Sequence, residues 1–129
     1  MEDIKEYINR HRSSKEKSKD FVSYLYELMD KHGFEKNSDV YNKTDISRQA
    51  WHNIISERYQ PSLSFCLKVA FVLQLNNHEC KYLLKKAGYT LAASSIYSLI
   101  IRYCIENKIY DVEKVNDYLI EYGYSDQLI

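Results

Sequence analysis

Four polar residues near the middle of the chain have types and a spacing suited to hydrogen-bonding chemistry: Arg48, Gln49, His52 and Asn53. Their i, i+1, i+4, i+5 spacing places them on one side of an α-helix. Arginine, glutamine and asparagine side chains can form paired hydrogen bonds with the edges of DNA bases. We therefore expect a helix face that reads base sequence, and an ordinary solvated helix face is the alternative.

The neighbouring residues predict two short helices joined by a tight turn. Five apolar residues occupy positions that two such helices, crossing at a steep angle, would bury: Val40, Ile46, Ala50, Trp51 and Ile54. The turn falls at residues 44–47. Ser47 can cap the second helix, because its hydroxyl can accept a hydrogen bond from a backbone N–H of the first turn.

The rest of the sequence predicts an all-α fold. Gly occurs three times and Pro once, and no run of alternating apolar and polar residues is sustained. Apolar residues recur instead at helical spacing, which predicts helices at 2–10, 21–32, 38–43, 47–57, 65–75, 78–87, 95–107 and 112–122. Asp20 would cap the second of these helices. Helix 95–107 would present one apolar face, made of Ile96, Leu99, Ile100, Tyr103 and Cys104.

These elements divide the chain into three regions. Residues 1–19 form an N-terminal helix and a polar linker, residues 20–88 a helical core, and residues 89–129 a helical extension. The extension either packs on the core or serves for dimerisation, and its apolar, Tyr-rich helices favour a homodimer. The basic stretch at 10–19 is either a solvated linker or an arm that contacts phosphates.

The motif VYNKTDISRQAWHNI, followed by Pro61-Ser62 and then LKVAFVLQLN, resembles the phage repressor and Cro-like family, also called XRE-like. The resemblance covers residues 21–84 and implies a repressor-like five-helix core with a helix-turn-helix, flanked here by an N-terminal helix and two extra C-terminal helices. It also implies a regulator of transcription that binds double-stranded DNA. Carried over by position, the DNA-binding residues are Lys43 and Ser47 on phosphates, and Arg48, Gln49 and Asn53 on bases with His52 nearby.

Three features favour a second function, a protein–protein interaction module that keeps the repressor-like fold without specific DNA binding. Tyr41 and Asp45 stand where the family usually has a small residue and a glycine. The net charge is zero, with 18 basic and 18 acidic residues, whereas DNA binders gain much of their affinity by neutralising phosphates. A positive surface around Lys43, Arg48, Arg58 and Lys68 would support DNA binding, and a mixed one a protein partner.

No pattern in the sequence indicates catalysis or a cofactor. The histidines lie apart from carboxylate or thiol partners, and the three cysteines, Cys66, Cys80 and Cys104, have neither disulfide nor metal-ligand spacing. We expect reduced, buried thiols, no metal and no enzyme activity. No apolar run approaches the length of a membrane span and the N-terminus lacks a signal-peptide core, so a cytoplasmic location is expected.

Overall fold

The computed structural model describes the backbone of residues 2–10 and 13–129 and the side chains of residues 2–7 and 21–129. Over these residues the chain is all-α, as predicted, with eight helices and no strand. The helices are α1 (Ile4–Arg10), α2 (Ser13–Lys31), α3 (Asn37–Tyr41), α4 (Arg48–Ile55), α5 (Leu63–Val72), α6 (Asn77–Lys86), α7 (Ile96–Glu106) and α8 (Val112–Glu121). No helix of this described part combines the length and apolarity needed to cross a bilayer.

Helix α2 begins at Ser13, so the prediction that Asp20 caps it was wrong. The segment before Asp20 contains neither Gly nor Pro, and nothing in its composition interrupts a helix. The helix ends where Gly33 adopts a positive φ of 81°, as expected for the left-handed residue after a helix. The alternatives for the basic stretch at 10–19 concern side chains outside the described residues.

Helix α5 lies at the centre of the hydrophobic core. Six of its ten residues are buried: Phe65, Cys66, Leu67, Val69, Ala70 and Phe71. The stripe on α2 made of Phe21, Leu25, Leu28 and Met29 is also buried, as its spacing predicts. Helix α6 packs against both α2 and α5, so α2, α5 and α6 form a scaffold for the shorter helices.

A buried carboxylate, Glu79, joins α2 to α6. It accepts hydrogen bonds from Lys31 Nζ at 2.8 Å and from the Asn76 backbone N–H at 3.1 Å, and its oxygens lie 3.2 Å from His32 Nε2. Burial acts to raise the pKa of the Glu79 carboxyl, but these hydrogen bonds outweigh it and hold that pKa below its usual value. The carboxylate is therefore kept charged and fully partnered.

The C-terminal helices contact the rest of the core through α7 and through the loop before α8. Tyr110 packs edge-on against Phe71 with ring centroids 6.3 Å apart, and its hydroxyl donates to the Leu75 carbonyl at 3.3 Å. At the chain's end, Asn116 pairs with both backbone groups of Ile129. These contacts close one hydrophobic core that runs from α2 to α8.

The apolar face predicted for α7 was partly wrong. Helix α7 contacts both α6 and α8, so its buried side is broad and includes Tyr97, Ile101 and Ile105 together with the expected Ile100 and Cys104. The remaining predicted residues form an exposed stripe, Ile96, Leu99 and Tyr103, which are 49%, 45% and 52% exposed. Apolar residues surround most of α7, and periodicity alone does not decide which of them face the core.

Candidate nucleic-acid interface

Helix α4 is held in place by a cap at its start and by an aromatic anchor on its inner side. The Ser47 hydroxyl accepts the Ala50 N–H at 3.0 Å, which confirms the predicted cap. Trp51, only 2% exposed, packs between the rings of Tyr41 and Phe65, with centroids 6.1 and 5.5 Å away. The bulky Tyr41 therefore fills the space between α3 and α4.

The inner side of α4 buries fewer residues than the sequence predicts. Trp51 and Ile54 are buried and Ile46 is half-buried, but Ala50 is exposed, so the expectation that Ala50 is buried was wrong. Ala50 lies in the first turn, at the margin of the buried stripe, where the connection from α3 does not cover it. Trp51 and Ile54 are therefore the residues that anchor α4 in the core.

The outer side of α4 carries the side chains singled out from the sequence. Arg48, Gln49 and His52 are exposed, and Asn53 is half-buried beside them. The Gln49 amide donates to the Asn53 side-chain oxygen at 3.0 Å, an i, i+4 contact along the helix. This bond aligns the two amides and leaves the Gln49 oxygen as an acceptor and the Asn53 nitrogen as a donor.

The two predicted phosphate contacts differ in their placement. Ser47 is exposed at the start of α4, next to Arg48, and its oxygen already serves the cap. Lys43 is exposed after α3, where its ammonium lies 5.1 Å from the centroid of the Phe34 ring. Lys43 thus makes its described contact with the α2–α3 side of the molecule and none with α4.

An ion pair changes the charge near this surface. Lys68 Nζ lies 2.7 Å from an Asp45 carboxylate oxygen, and its side chain is only 18% exposed. The hydrogen bond from Lys68 holds the pKa of the Asp45 carboxyl below its usual value. Residues 39–68 contain four basic and three acidic side chains, so the local surface is mixed in charge. No spacing in the sequence indicates this pair, because it joins the turn before α4 to the middle of α5.

The described residues also bear on metal binding and on the state of the thiols. No group of three or more His, Cys, Asp or Glu side chains there could hold a metal ion. The three cysteines are free and buried, as expected. Burial raises the pKa of the Cys80 thiol to about 12 and also raises that of Cys66, so neither thiol forms a nucleophilic thiolate at neutral pH.

The surface built by α4 can thus donate and accept hydrogen bonds from a short, firmly anchored helix. Comparison with protein-family models, with curated proteins and with solved structures found no match to this chain. Its function has to be inferred from its own residues.

Proposed function

We propose that this protein is a sequence-specific DNA-binding regulator of transcription that reads DNA with α4. The observation that carries the proposal is the division of α4 into two sides. Trp51 and Ile54 anchor the inner side, while Arg48, Gln49 and His52 project from the outer side. A rigid helix with exposed guanidinium and amide groups meets the geometric needs of direct base readout.

The dimensions of the helix agree with this function. The major groove of B-DNA is about 12 Å wide and admits an α-helix with its side chains, whose diameter is about 10–12 Å. Arg48 and Gln49 lie in the first turn of α4, the part of a recognition helix that contacts base edges. In the repressor-like arrangement that we propose, α3 crosses the DNA backbone while α4 enters the groove.

We further propose that two copies act together as a homodimer. A neutral protein releases few counterions on DNA, so a single copy would bind weakly and a second set of contacts is needed. The exposed stripe Ile96, Leu99 and Tyr103 on α7 supplies apolar surface for an interface between copies. Such a dimer would place one α4 helix on each half of a palindromic site.

Binding measurements on variants test the proposed roles separately. Arg48→Ala should relax discrimination at one base pair of each half-site by roughly 1–3 kcal/mol. Lys43→Ala should weaken binding to all sequences alike. It should also reduce the steepness of the plot of log affinity against log salt concentration by about one. Lys114→Ala on α8, also an exposed lysine, is the matched control and should alter neither quantity.

The Asp45–Lys68 ion pair favours a second candidate function, a protein-interaction module. The Asp45 carboxylate, which is mostly exposed beside α4, offsets the charge of Lys68, so this lysine adds little positive potential to the surface that would attract DNA. A protein partner with its own mixed charges would tolerate this arrangement better than a phosphate backbone. This function predicts weak affinity for every duplex, unchanged by Arg48→Ala.

A further inference from the structure

A cavity of about 240 Å³ lies between α6, α7 and the connector that joins them, away from α4. Its walls are mainly apolar, and three of the side chains that line it, Leu84, Ile101 and Ile105, are buried in the hydrophobic core. Ligand pockets in proteins commonly measure about 300–1,000 Å³, so this cavity suits a small molecule.

The mouth of the cavity is cationic. Lys81 and Lys85, one turn apart on α6, and Arg102 on α7 line the cavity and are exposed. No acidic residue lines it, and neither lysine forms an ion pair with the described part of the chain. Arg102 donates to the Ala93 carbonyl at 3.2 Å, which fixes its guanidinium beside the connector.

The acidic side chain of Glu106 lies near the cavity without lining it. Glu106 accepts a hydrogen bond at 3.2 Å from the amide of Asn77, which is a lining residue. The residues that line the cavity include three cationic side chains and no acidic one, so its lining carries an excess of positive charge, which favours an anion.

A polar group also faces the apolar part of the cavity. Ser98 lines it and is only 9% exposed, and its hydroxyl has no hydrogen-bond partner among the described residues. The residue as a whole is largely buried, but its oxygen is not one of the fully buried unpaired atoms, so the hydroxyl is accessible from the cavity. A bound molecule with a polar atom would satisfy it.

We propose that this cavity binds a small amphipathic monocarboxylate, with its apolar chain against Leu84, Ile101 and Ile105. The carboxylate would lie among the ammonium groups of Lys81 and Lys85 and the guanidinium of Arg102. An uncharged apolar molecule would form no ion pair with these cations. A strongly polar anion would make no favourable contact with the apolar walls. The proposal is independent of DNA binding by α4, since the two surfaces share no residue.

Three eight-carbon probes of matched chain length, octanoate, octylamine and 1-octanol, test the charge preference by calorimetric titration of the full chain. Octanoate should bind with one site per chain and raise the melting temperature, because it binds only the folded state. Octylamine should bind at least ten-fold more weakly than octanoate, and octanol should fall between them. Equal affinity for all three probes, or no binding of octanoate, would overturn the proposal.

Variants then locate the site. Lys81→Gln combined with Lys85→Gln should weaken octanoate binding about ten-fold and leave octanol binding unchanged, since exposed ion pairs contribute modestly. Ser98→Leu, which fills the cavity, should weaken octanoate and octanol alike, with folding checked by circular dichroism. The control Lys108→Gln combined with Lys114→Gln removes two lysines that do not line the cavity and should leave octanoate affinity unchanged. If this control weakens octanoate as much as the α6 pair, the anion is bound by general charge and the site is refuted.

Discussion

At the residue scale, Trp51 connects the core to the candidate interface. Its ring is buried between Tyr41 and Phe65, so truncation would leave a large cavity under α4. Trp51→Ala should lower the free energy of unfolding by about 3–5 kcal/mol, measured by urea denaturation.

Trp51→Phe is the informative control for this position. Phenylalanine keeps an aromatic ring between Tyr41 and Phe65 and removes the indole N–H, which is buried without a hydrogen-bond partner. The Phe variant should therefore lose clearly less stability than the Ala variant. Equal losses, or an unchanged transition in Trp51→Ala, would contradict the placement of this ring.

Glu79 predicts a dependence of stability on pH. Lys31, the Asn76 N–H and His32 lower the pKa of the Glu79 carboxyl in the folded state. The stabilisation that results is fully present above the ordinary glutamate pKa of about 4.3, and it is lost as the pH falls through the lowered pKa. Glu79→Gln should cost about 1–3 kcal/mol at pH 7 and much less at pH 3.

The control for Glu79 is Glu121→Gln, an exposed carboxylate on α8, which should have little effect at either pH. Urea denaturation at both pH values measures the free energy of unfolding of the wild type, Glu79→Gln and Glu121→Gln. A difference between wild type and Glu79→Gln that stays constant from pH 7 to pH 3 would show that the carboxylate charge is not what stabilises the α2–α6 junction.

Sequence reasoning succeeded at this scale where the determinant was local. The Ser47 cap and the burial of Trp51 follow from residues within one or two turns. The Asp45–Lys68 and Lys31–Glu79 ion pairs join different helices, and no spacing in the chain reveals them. The residues that project from α4 could therefore be predicted from the sequence. The charge of the surrounding surface could not.

At the element scale, α7 separates what periodicity can determine from what it cannot. Its helical state is readable from the sequence. Its orientation is not, because apolar residues occur on most of its sides and only the packing of α6 and α8 selects the buried one. The cationic cavity was missed for the same reason, since Lys81 and Arg102 become neighbours only when α6 and α7 pack.

The exposed stripe on α7 gives the prediction for this scale. Leu99→Glu places a charge at a position that is 45% exposed in a single chain, so folding should be little affected while an interface between copies would bury an unpaired carboxylate. Light scattering should show a dimer for the wild type and a monomer for Leu99→Glu.

Lys114→Glu, an exposed change of charge on α8, serves as the control and should remain dimeric. If the wild type is a monomer at high micromolar concentration, or if Leu99→Glu dimerises as well as the wild type does, the stripe is not a homodimer interface. DNA binding would then depend on the contacts of one copy alone.

At the scale of the whole molecule, the all-α architecture follows from the scarcity of Gly and Pro and from helical apolar spacing. The zero net charge limits the electrostatic part of this molecule's affinity for DNA. Without a large electrostatic contribution, non-specific affinity is low, and specific contacts from α4 must supply more of the binding free energy. We therefore expect this protein either to bind particular DNA sequences specifically or to bind all DNA weakly.

Selection from a random pool of DNA duplexes at about 0.15 M salt tests the reading of DNA by α4 most directly. The wild type should enrich a motif, and Arg48→Ala should enrich one that has lost its preference at one position of each half-site. Lys114→Ala should return the wild-type motif. Failure of the wild type to enrich any motif, or an identical motif from Arg48→Ala, would contradict the proposal that α4 reads DNA.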